Sequence, residues 1–140
     1  MNQQLSKTAR KTWIVLNIVS IILIVSFFYL GQLLEVPAVF FAGGGVSVII
    51  AITSFIKVFI KTGLWKMVHS SQHSLDERQV QVILNAMKYS YSIFTILIIA
   101  IVYGFALFNK GPVNVLVAAC LLYIAHILPA AIIGWSEKYV

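Results

Sequence analysis

Few side chains in this 140-residue chain can do chemistry: three histidines, four carboxylates (Glu35, Asp76, Glu77, Glu137) and one cysteine, Cys120. His69 and His73 stand four residues apart, with Asp76 and Glu77 close behind. On a continuous helix that spacing puts both imidazoles on one face, where they can hold an ion such as zinc. Ser70 and Ser71 lie between them, and a helix start at Ser74 argues that no single helix runs through both. The expectation is therefore solvated interfacial histidines. A metal set of His69, His73, Asp76 and Glu77 is the lesser reading, and no cofactor is called for.

The third histidine, His126, sits inside the apolar run from Tyr123 to Leu128, just before Pro129. An ionisable group at mid-membrane depth is costly and faces a partner or a cavity rather than lipid. Pro129 frees a backbone carbonyl near Ala125 for another donor. The expectation is a buried, neutral imidazole bonded to a Ser, Thr or Tyr of a neighbouring helix; the sharper alternative is a proton or ligand site. Cys120 reads as a small buried apolar residue, and a lone cysteine forms no intrachain disulfide. A membrane enzyme needs a convergent acid, base, nucleophile or metal set. The histidine–acidic segment is the sole candidate, so the chain reads as not an enzyme, with no catalytic residue.

Positioning these groups falls to an almost wholly apolar scaffold. Hydrophobic residues make up 61% of the chain and charged ones 10%, with a mean hydropathy of +0.97. Soluble domains carry about a quarter charged residues, so that class is excluded. About 20 uncharged residues cross ~30 Å of hydrocarbon, and four such spans can be drawn, at 13–34, 37–56, 89–108 and 112–135. They predict an all-α membrane protein, a single bundle over 1–140 of two antiparallel helical hairpins with a loop at 57–88. The links Glu35-Val36 and Asn109-Lys110-Gly111 are short, and each precedes a proline suited to a first helical position (Pro37, Pro112). The first span reads as an uncleaved anchor, because Leu33 to Pro37 contains no small-x-small cleavage site.

Orientation follows from the basic residues. Lys7, Arg10, Lys11, Lys57, Lys61, Lys66, Arg78, Lys88 and Lys138 fall on one side, and only Lys110 on the other. Both termini and the 57–88 loop are expected in the cytoplasm, in the cytoplasmic membrane of a prokaryote. Trp13, Trp65 and Trp135 lie at that same edge, where indoles favour the headgroup region.

Within the loop, Ser74-Leu75-Asp76-Glu77 reads as a capping box with Ser74 at the N-cap and Glu77 at N3. It predicts a third helix from Leu75 to Phe108 whose first turns lie outside the bilayer. Leu75, Val80, Ile83, Leu84, Met87 and Tyr91 form its apolar face, and Glu77, Arg78, Gln81, Asn85 and Lys88 its polar one. The layout and the stretch Asp76-Glu77-Arg78 resemble uncharacterised small four-span bacterial and archaeal membrane proteins with a D-E-R-E-like motif before the third span. Gln79 departs from the acidic fourth position of that motif. The resemblance implies a membrane location and no known reaction.

In the second span Gly43, Gly44 and Gly45 permit close backbone approach, and Gly43, Ser47 and Ala51 make a small-residue stripe echoed by Ala130 and Gly134. The functional expectation is a non-catalytic accessory, regulatory or immunity-type protein acting by contact through the amphipathic segment Leu75, Val80, Ile83, Leu84 and Met87. That reading expects few buried polar residues. The alternative is a small transporter or channel with His126 as its intramembrane polar site. The partners are the lipid bilayer and a membrane or cytoplasmic protein; the stripes also allow a homodimer, and nucleic acid is not expected.

Overall fold

A computed structural model describes residues 5–70, 75–108 and 111–137. Its helices are α1 (Lys7–Leu33), α2 (Pro37–Ile60), α3 (Leu64–His69), α4 (Glu77–Leu107) and α5 (Val115–Ser136). All but α3 are long and apolar enough to cross a membrane. The protein is an all-α multi-pass membrane protein, as its composition requires. Backbone N–H and C=O groups find no partner in lipid, and helices satisfy them internally.

The chain divides into two compact units, one of residues up to 66 with those from 134 onward, the other of residues 67–133. In the first, α1 and α2 form a hairpin. Its turn is a Schellman motif: Val36 N–H donates to Gly31 O at 3.1 Å and Glu35 N–H to Gln32 O at 3.3 Å. Glu35 takes the left-handed conformation (φ 56°) that this closure demands, at a cost of about 1–2 kcal/mol for a residue with a Cβ. Pro37 then opens α2 at the expected first helical position.

The buried positions of α1 are Arg10, Ile14, Asn17, Ser20, Ile21, Ile24 and Gly31, a stripe at helical spacing. Helix α2 is regular from Gly45 to Phe55 and widened into π turns at Phe40–Gly44 and Ile56–Ile60. It reaches Ile60, the longer of the two ends that the apolar run allows, and Val58 and Phe59 are fully buried. Gly43, in the first widened turn, lets α2 pack closely on α1, because a Cβ there would lie 2.5 Å from the Phe27 ring. Ser47 and Ala51 are buried as the stripe predicts, whereas Gly45 faces open space and packs on nothing.

In the second unit α4 starts at Glu77, two residues later than expected. The cap is Asp76, not Ser74: Gln79 N–H donates to Asp76 Oδ1 at 2.7 Å, and Asp76 N–H to Gln79 Oε1 at 3.3 Å. Asp caps as well as Ser, and Gln at N3 closes the box as Glu would; Ser74 itself lies outside the described residues. Helix α5 begins at Val115 rather than at Pro112. Gly111 adopts φ 75°, and Asn114 Oδ1 accepts from Leu116 N–H at 2.9 Å. The side-chain cap sets this boundary, and Pro112 stays in the link. Helix α5 continues through Pro129.

Candidate functional site

The amphipathic face at the start of α4 lines a cleft. Val80, Ile83, Leu84 and Met87 recur at i, i+3, i+4 and i+7, and with Leu75 they form one wall of an open cavity of about 320 Å³. Val68 at the end of α3 and Ser70 just after it complete the lining. Ile83 and Val68 are buried, while Leu84 and Met87 are 54% and 44% exposed. The five residues expected to form a docking face thus line one open cavity.

Within the expected motif the roles separate. Asp76 caps α4 with its carboxylate, and Glu77 sits in the first turn, where negative charge complements the helix dipole. Arg78 is exposed. This part of the motif describes how a helix is started.

His126 is exposed rather than buried, and its ring lies against that of His69, with centroids 6.1 Å apart and planes 21° apart. His69 ends α3. The expected grouping of His69 with Asp76 and Glu77 is not formed: among the described residues no three His, Cys, Asp or Glu side chains converge on a metal-sized site. His73 lies outside the described residues. Cys120 is half-buried.

Buried polar residues are more numerous than expected: Arg10, Asn17, Ser20, Ser47, Ser54, Thr62 and Ser90. Asn17 Nδ2 donates to Ala51 O and to Ser54 Oγ, both at 2.9 Å. Ser54 and Ser47 also donate one turn back, to Ile50 O at 2.7 Å and Gly43 O at 2.8 Å, and Ser20 donates to Asn17 O at 2.6 Å. Among the described residues no buried side-chain nitrogen or oxygen lacks a hydrogen bond. The small-residue stripe of α2 is what lets Asn17 approach the α2 backbone.

A basic cluster at the start of α1 closes the end of α5. Arg10 Nε donates to Gly134 O at 2.7 Å and Arg10 Nη2 to Glu137 O, while Lys7 Nζ donates to Ser136 O at 3.1 Å. Lys11 stands 4.5 Å over the Trp135 ring, and Lys57 4.4 Å over Trp13. Helix C-termini carry orphan carbonyls and negative dipole ends, and cations satisfy both. Sequence reasoning used Lys7, Arg10 and Lys11 only as an orientation signal. The available clue was that the last turn of α5 contains no basic residue of its own.

No family model matches the chain, and neither a curated protein nor a solved structure matches it.

Proposed function

We propose that this is a non-catalytic membrane protein that acts by contact, receiving an apolar segment of a membrane or cytoplasmic partner protein on the cleft at the start of α4. The observation that carries the reading is the convergence of Leu75, Val80, Ile83, Leu84 and Met87 on one open cavity. Amphipathic surfaces of this kind recognise helices through i, i+3, i+4 and i+7 anchors, and a Met in the wall adapts to varied apolar shapes. The nine-to-one distribution of basic residues supports a cytoplasmic position for this segment and for both termini. The transport reading has less support, because the buried polar groups of α1 and α2 are engaged with one another. In the test, a photo-crosslinking residue replaces Leu84 or, as a control, Ile99 on the exposed apolar surface of α4. The expected result is a discrete protein adduct from position 84, lost when Met87→Lys is added. Equal adducts from both positions, or only lipid adducts at 84, would overturn the proposal.

A further inference from the structure

We infer that the end of the first unit opposite the Glu35 turn seats the phosphate groups of anionic phospholipids, at Lys57 with Trp13 and at Lys11 with Trp135. Each pair joins two helices: Lys57 of α2 with Trp13 of α1, and Lys11 of α1 with Trp135 of α5. The ammonium groups stand 4.4 Å and 4.5 Å from the indole centroids, inside the ~6 Å reach of a cation–π contact. Both lysines sit where apolar runs end, since Trp13 opens the first run and Ile56 directly precedes Lys57. Indoles settle at that headgroup level, and a lysine there extends its ammonium toward it. An ammonium has three N–H donors and no acceptor, so a ring on one side leaves donors for phosphate oxygens.

The packing favours an anion at these seats. Lys57 belongs to the π turn Ile56–Ile60, whose Val58 and Phe59 are fully buried, and these neighbours hold the exposed lysine at the boundary. The carbonyls at the end of α5 would repel a phosphate, but Arg10 and Lys7 already satisfy them. With Lys61 and Lys66, this end of the unit carries six cations against Glu137, because Glu35 lies at the far turn. Each basic residue near an anionic lipid surface adds about fivefold in affinity, whereas zwitterionic lipid offers no net charge to attract it. The occupant is a membrane lipid because apolar surface continues from the seat. Leu16, one turn along from Trp13, and Ile52 and Ile56, just before Lys57, are exposed for acyl chains to cover. The inference is independent of the proposed partner cleft, which is lined by residues of the other unit.

The experiment uses the full chain in vesicles of phosphatidylcholine mixed with phosphatidylglycerol, one lipid or the other carrying bromine near the headgroup end of its acyl chains. Bromine quenches indole fluorescence on contact. The variant W65F/W135F therefore reports the Lys57 seat through Trp13, and W13F/W65F reports the Lys11 seat through Trp135; each keeps an aromatic ring at every replaced position. Phosphatidylglycerol is expected to occupy each seat about fivefold or more in preference to phosphatidylcholine. K57Q should remove about fivefold of that preference at Trp13, and K11Q the same at Trp135. K57R should retain it, and K110Q, in the link between α4 and α5, should leave both seats unchanged. The unsubstituted chain should show the same preference without any replacement. Equal quenching by the two lipids, an unchanged preference in K57Q and K11Q, or a loss in K110Q equal to theirs overturns the inference. Soluble glycerol phosphate should leave the preference intact; if it abolishes it, the seats take a free phosphate and the lipid assignment falls.

Discussion

Asn17 gives the sharpest test of how α1 and α2 are held together. Its side chain is fully buried, and both hydrogens of Nδ2 are used, one on Ala51 O and one on Ser54 Oγ, each at 2.9 Å. Interhelical hydrogen bonds in membranes average about 0.6 kcal/mol and reach about 1.7. Two of them give about 1–3 kcal/mol for Asn17→Ala once the space left behind is included. Ser54→Ala removes only one of the two bonds and should cost about 0.6 kcal/mol. The double variant should then show a coupling of about the same size, because the Asn17–Ser54 bond is counted in both single changes. Asn17→Asp separates the donor role from mere polarity. It replaces the donating Nδ2 by an oxygen that faces the Ala51 carbonyl, and it places a carboxylate where insertion costs about 2.5–3.5 kcal/mol. The order of stability should be wild type, Ser54→Ala, Asn17→Ala, Asn17→Asp, measured by reversible unfolding in mixed micelles or by steric trapping in bilayers. An Asn17→Asp variant as stable as Asn17→Ala, or zero coupling between positions 17 and 54, would refute the reasoning.

Two further outcomes are expected. Arg10→Leu should expose the carbonyls at the end of α5, with faster amide exchange confined to residues 130–137 and a loss of about 1–3 kcal/mol locally. Arg10→Lys should recover only part of it, because an ammonium lacks the fork that reaches Gly134 O and Glu137 O together; unchanged exchange in Arg10→Leu would remove the clasp from the account. Gly43→Ala should destabilise by about 1–3 kcal/mol through overpacking against Phe27. Gly45→Ala, in open space, should be neutral or gain up to about 1 kcal/mol from helix propensity, and equal thermal shifts for the two would contradict the packing.

The spans were legible because a membrane allows so few backbone solutions that counting apolar residues nearly suffices. Their ends were less so. The start of α4 moved from Ser74 to Asp76 because two adjacent sets of residues can each write a capping box, and the sequence does not rank them. The amphipathic face of α4 was readable as a surface, since its spacing is local. What no local pattern could show is pairing. His69 has a satisfactory neighbour in His73 along the chain, and Arg10 has a satisfactory role in setting orientation, so neither asked for His126 or Gly134. Asn17 had no such local explanation: a lone amide inside an apolar span must find donors or acceptors on another helix. Its partners lie on the small-residue stripe, at Ala51 and Ser54. Only a helix whose facing side chains are as small as Ser47, Ala51 and Ser54 lets an amide on α1 reach a backbone carbonyl of α2. The polar residue and the stripe are therefore two halves of a single feature, and read together they fix which faces of α1 and α2 meet.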